Sequence, residues 1–217
     1  MIKKLCLFFP FVFFLIHFFL PPDALAGENE DKGGPKEKYK IIGDINEAGR
    51  VRPVEVVKYF NYSCSHCYRF FQGEGQLLKR FGSEIRYSKV PIFWGKQTPY
   101  PAAAYYYALK NGKGEEINKA IFEAHFEKDL DVFDLKVLSV ILQEHGLPVS
   151  INGEDWVKSK ELRDQVEAGM QAADRYDVRE TPSIVINGVI KVMPEHTGGD
   201  MPKILKRVEE AVVDLPR

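Results

Sequence analysis

Apolar and polar positions follow three successive patterns along this chain. Residues 53–61 (PVEVVKYFN) carry Val54, Val56, Val57, Tyr59 and Phe60, a β-branched and aromatic run typical of a buried strand. From Tyr68 the period lengthens, with Phe70, Phe71, Leu77, Leu78 and Phe81 at helical spacing until Gly82 stops it. A second strand is expected over 84–92. Residues 97–178 then read as helices alone. They cover 102–110 behind Pro101, 115–126, 134–145 ahead of Gly146, and one or two more in 154–176. Strand character returns at 183–186 and 189–192 around Asn187-Gly188, a strong short hairpin signal, and 202–213 closes as an amphipathic helix. The order is strand, helix, strand, helical block, hairpin, helix, which predicts the α/β class.

The first 26 residues belong to a different pattern. Lys3 and Lys4 precede an almost uniformly apolar stretch over 5–20, Pro21 and Pro22 follow, and Ala24-Leu25-Ala26 supplies small residues for cleavage. That is the layout of a cleavable signal peptide, expected to be cut after Ala26. At 16 residues the apolar run is short of the roughly 20 a spanning helix needs, although an uncleaved anchor remains the alternative. Residues 27–39 read as a flexible polar leader. Without Lys3, Lys4 and Asp23 the remainder holds 28 basic and 30 acidic residues, a balance that points to no nucleic-acid partner.

Removal of the signal changes the cysteine count from three to two, because Cys6 leaves with it. The pair that remains, Cys64 and Cys67, would enter an oxidising space where disulfides persist. A bridge across two residues closes almost no loop, so it is poorly placed to stabilise the fold. It is well placed for chemistry. Cys64-Ser65-His66-Cys67 lies where the strand runs into the helix, so unpaired N–H groups and the helix dipole favour an anion on Cys64. His66 adds a second donor or a positive charge, and the Cys67 thiol a third. An acidic thiol is reactive, and stabilising its thiolate makes the corresponding disulfide more oxidising. On spacing, Cys64 is the exposed nucleophile and Cys67 the buried resolving thiol.

Two plainer readings stand beside this one. A CxxC half-site can bind zinc, but structural zinc takes four ligands, and His66, His125, His145 and His196 offer no finger-like spacing. No metal or other cofactor is expected. A purely structural disulfide is the second reading. Thr181-Pro182, directly ahead of the strand at 183, reads either as a strand-opening proline or as a cis peptide. His196 is expected to be a solvated loop histidine. Tyr100, Tyr105, Tyr106 and Tyr107 with Phe122 and Phe126 read as core rather than as a substrate groove.

Three stretches together resemble the DsbA family: 56–70 (VVKYFNYSCSHCYRF), 85–91 (IRYSKVP) and 181–188 (TPSIVING), with the helical block at the family's position. The resemblance implies a thioredoxin-like fold over 40–96 and 179–217, interrupted by an inserted all-helical domain over 97–178. It implies a periplasmic protein that donates a disulfide to unfolded or reduced exported proteins. Cys64 and Cys67 would be the redox-active pair, His66 the thiolate's stabiliser, and Thr181 with a cis Pro182 the substrate-facing loop. It also implies reoxidation by a DsbB-like membrane quinone reductase. The chain differs from the family's common pattern at Ser65 in place of proline, at Lys58 in place of an acid, and at Thr181, which is similar to disulfide isomerases. An isomerase or reductase of the same fold, and a peptide-binding chaperone with a structural disulfide, are the rival readings.

Overall fold

The structure is a computed structural model and describes residues 37–150 and 155–216. The expected signal peptide, its cut after Ala26 and all but the last three residues of the leader lie outside the described residues.

A five-stranded sheet in the order β1-β5-β4-β2-β3 organises the described residues. Its strands are β1 (Lys40–Ile41), β2 (Val54–Phe60), β3 (Ile85–Pro91), β4 (Ser183–Ile186) and β5 (Ile190–Val192). β2 pairs in parallel with β3 and antiparallel with β4, so it is covered on both edges. The Asn187-Gly188 turn that links β4 to β5 has positive φ at both residues, which Asn and Gly tolerate where branched residues do not. The short helix α1 (Ile45–Ala48) precedes β2, and the parallel step from β2 to β3 crosses through α2 (Ser65–Gly73) and α3 (Gly75–Phe81).

The pleat sends alternate residues of β2 to opposite faces. Val54 and Val56 meet Phe70, Leu77 and Phe81 of α2 and α3, together with α8 (Met201–Asp214). Tyr59 and Val57 meet Ala173 and Met170 of α7 (Lys160–Arg175) on the other face. A third cluster starts at Phe60, Tyr62 and Cys67 and continues into α4 (Tyr100–Lys110), α5 (Gly114–Phe126) and α6 (Leu135–Glu144). The helical block thus shares its core with the end of β2 and the start of α2. Tyr105 and Phe122 are buried there, with Tyr100, Tyr106, Tyr107 and Phe126 packed at its margin.

Two features depart from the sequence expectation. The helix read as continuous to Phe81 is two helices, divided at Glu74, which lies between Gly73 and Gly75. His196, expected in solvent, is buried. The short 3₁₀ turn Pro194–Thr197 folds the imidazole back so that its Nδ1 accepts the Met193 N–H at 2.9 Å.

Candidate active site

The backbone leaves β2 through Asn61, and that one side chain builds the approach to the cysteines. Its Oδ1 accepts the Ser63 N–H at 2.8 Å and the Ser63 hydroxyl at 2.7 Å. Its Nδ2 donates to the Ile92 carbonyl at 2.9 Å and to Gln97 Oε1 at 2.7 Å. Gln97 in turn donates to Ser63 Oγ at 2.8 Å. The turn is therefore tied to the exits of both β2 and β3. Sequence reasoning passed over Asn61 and Gln97. An amide directly after a strand and ahead of a CxxC was the available signal.

Cys64 occupies the N-cap of α2 with extended φ and ψ of −89° and 112°, and its Sγ accepts the Cys67 backbone N–H at 3.3 Å. A sulfur atom here does what a serine or aspartate oxygen does at an ordinary N-cap. Cys64 is half-buried and Cys67 fully buried, and both are free thiols. The Thr181–Pro182 peptide is cis and directly precedes β4, and the Thr181 carbonyl oxygen accepts from the Cys64 thiol at 3.1 Å. Four of the five residues singled out from the sequence, Cys64, Cys67, Thr181 and Pro182, thus converge on one sulfur and the loop beside it.

These contacts set the charge on Cys64. The Cys67 thiol donates to its sulfur, and donation by the Thr181 side chain and by the Cys67 and His66 N–H groups adds to that. Burial opposes them and loses, so the thiol falls from its ordinary 9.0 to about 5. Cys67 moves the other way. Burial, its own donation to Cys64 and the negative charge there push it well above the ordinary thiol value. One sulfur is an anion at neutral pH while its partner three residues on is a protonated donor.

His66 sits differently from its neighbours. Its backbone N–H is what acts on Cys64, while a Cβ placed on Gly199 would stand only 3.2 Å from its Nε2. The imidazole lines a cavity of about 640 Å³ with Glu37, Pro194, Glu195, His196, Gly198 and Gly199. Among the described residues no group of three or more His, Cys, Asp or Glu side chains is arranged to hold a metal ion.

Comparison with known proteins agrees with this geometry. The family described as thioredoxin matches residues 50–207. The chain is a DsbA-type member of the thioredoxin family. It is 22% identical over 202 residues to the thiol:disulfide interchange protein DsbA of Pseudomonas syringae pv. tomato, covering 89% of this chain and 91% of that relative. The DsbA of Burkholderia cepacia is 25% identical over 145 residues, 66% of this chain and 68% of the relative. Among solved structures, the oxidoreductase DsbA from Xylella fastidiosa superposes with a TM-score of 0.64 at 27% identity, over 74% of this chain and 84% of that one. The fold is thioredoxin-like with an inserted helical block, and the enzyme is a thiol:disulfide oxidoreductase.

Proposed function

We propose that this protein is a periplasmic disulfide donor for newly exported proteins. In its oxidised form a substrate thiolate attacks Cys64 Sγ, the Cys64–Cys67 bond breaks, and Cys67 leaves with the electron pair. A second substrate thiolate then attacks the substrate sulfur of the mixed disulfide and releases Cys64 as a thiolate. Thr181 and Pro182 form the surface against which the substrate chain lies. His66 supports the Cys64 anion. A DsbB-like membrane quinone reductase returns the pair to the disulfide. Export through the N-terminal signal peptide delivers the protein to that compartment.

The observation that carries this reading is the place of Cys64 at the N-cap of α2, where its Sγ accepts the Cys67 N–H at 3.3 Å and donors already in place before substrate arrives lower its pKa to about 5. A thiolate that stable is a good leaving group, so the second step runs towards substrate disulfide and reduced enzyme. Thiolate absorbance of the reduced protein, followed against pH, is expected to show a midpoint several units below that of free cysteine, about 8.5. Oxidation of a reduced dicysteine peptide should be lost in Cys64→Ser. A midpoint near free cysteine, or an active Cys64→Ser protein, overturns the proposal. Recovery of scrambled substrates at least as fast as oxidation of reduced ones would move the assignment to an isomerase.

A further inference from the structure

Directly beneath α2 lies a cluster of charges that the steps above leave unused. Lys58 points from the middle of β2 into the face that α2 covers, and its side chain is fully buried. Its Nζ is 2.5 Å from Glu74 Oε2. The other carboxylate oxygen, Oε1, is 2.6 Å from Nζ of Lys89, which is also buried. The Tyr87 hydroxyl donates to Oε2 at 2.7 Å. Lys89 reaches outward to a second carboxylate, Glu115, whose side chain is 70% exposed.

The charges in this cluster do not cancel where they lie. Inside the protein one carboxylate serves two ammonium groups, and the balancing anion, Glu115, sits in water where its field is screened. Burial and the neighbouring Lys89 lower the Lys58 pKa and outweigh Glu74, which raises it, whereas burial of Glu74 is outweighed by its two lysines, which hold it below the ordinary carboxylate range. The Lys58 ammonium also lies 4.9 Å from the Phe60 ring centroid and 5.5 Å from that of Phe70. Phe70 is one turn beyond Cys67 on the buried side of α2, and Phe60 shares a core cluster with Cys67. The surplus cation therefore stands on the Cys67 side of the helix. Besides Glu74, Cys67 is the acidic group whose ionisation would raise the Lys58 pKa.

We infer that Lys58 is a positioning residue for the resolving cysteine: it is the buried counter-charge against which Cys67 departs as a thiolate. This rests on the donor reading above. When a substrate thiolate bonds to Cys64 Sγ and the Cys64–Cys67 bond breaks, the electron pair arrives on a sulfur with no water around it. An uncompensated buried anion is costly. Lys58 is the cation already in place to receive it. A leaving thiol with a lower effective pKa leaves faster, so the effect appears in the rate of the first step.

Single-turnover transfer from the oxidised full chain to excess reduced dicysteine peptide, trapped with acid and alkylated, tests this. Lys58→Met leaves Glu74 paired with Lys89 and bonded to Tyr87, so no buried charge is orphaned. Its transfer is expected to slow by about tenfold. Lys58→Arg keeps the charge and the carboxylate contact and is expected within about threefold of the wild type. Glu115→Gln, changed only at the surface, is expected to be no slower than the wild type. Wild-type rates in Lys58→Met, Arg as slow as Met, or a slower Glu115→Gln would each overturn the inference. Iodoacetamide titration of Cys64 in every reduced variant separates the two levels. An acidic Cys64 with unchanged transfer defeats only the role of Lys58, whereas a Cys64 that titrates like free cysteine defeats the donor reading itself.

Discussion

The mouth of α2 and the space beneath it solve the same problem by opposite means. At the mouth, a half-buried sulfur is held as an anion by donors that carry no formal charge: a thiol, a threonine side chain and two backbone N–H groups. Beneath the helix, the ionisable side chains of Lys58, Glu74 and Lys89 are buried and paired with one another. Neutral donors leave the mouth open to a substrate sulfur and its charge free to move. Ion pairs beneath it make a rigid base whose charge cannot leave. Reactivity and fixation thus ask for different electrostatics at the mouth and along the buried face of one helix.

The largest effect that would sharpen this contrast comes from the base. Glu74→Ala leaves two buried ammonium groups with only the exposed Glu115 in reach, and should cost about 3–5 kcal/mol in denaturant unfolding. A loss below about 1 kcal/mol, the size of an exposed ion pair, would mean that water reaches the cluster and that the base resembles the surface.

The next effect belongs to the mouth and depends on pH. Cys64 has a folded pKa of about 5 against 9.0 when unperturbed, so between those values the unfolded reduced chain binds a proton that the folded one does not. The reduced protein therefore gains stability as pH rises from 5 to 9, and loses that gain as pH falls through 5. The oxidised protein has no such thiol to titrate. Allowing for solvent screening of a partly exposed group, the two forms should diverge by about 2–3 kcal/mol over that range. Parallel unfolding curves for both forms at all pH values would erase the contrast.

A smaller effect separates the two parts of His66. Gly199 has φ of +80°, and a Cβ there would stand 3.2 Å from Nε2. Gly199→Ala should cost about 1–2 kcal/mol for that backbone and turn the imidazole aside. Because His66 acts on Cys64 through its backbone N–H, the Cys64 midpoint should stay near 5. A midpoint that climbs with this substitution would hand the role to the ring.

These contrasts were unevenly legible in the sequence. The strand from Val54, the CxxC at its exit, the helical block and the Asn-Gly hairpin follow from local periodicity and turn chemistry, which act over a few residues. The meeting of Cys64 with Thr181 does not, because 117 positions separate them and only the resemblance joined them. Lys58 stood out as a departure, yet its partner was hidden. Glu74 falls four residues after Phe70 and three before Leu77, on the buried stripe of the helix, but nothing local in the sequence says which cation it meets there. His196 was misplaced for a similar reason: a 3₁₀ turn rather than any periodicity buries it. Buried charge is the least legible property of a chain, since the pairing that makes it tolerable is tertiary.

The finest test concerns how many neutral donors the mouth needs. Thr181 acts on Cys64 in two opposed ways: its carbonyl oxygen accepts from the Cys64 thiol at 3.1 Å, which favours the protonated sulfur, and its side chain donates to the thiolate. Thr181→Val keeps the carbonyl, the backbone and nearly the same volume, and removes the donor alone. A hydrogen bond to a charged group is worth about 1.5–3 kcal/mol when fully formed. The site is partly solvated and the Cys67 thiol, the strongest donor, remains, so water can replace part of the loss. The Cys64 midpoint should rise above 5 by less than about one unit. Thiolate absorbance across pH 3–9 (roughly the span between acid unfolding and the free thiol) resolves that change. A rise of two units or more would make Thr181 the dominant donor. The mouth would then rest on one side chain, as the base rests on Glu74, and the opposition between the two regions would no longer hold.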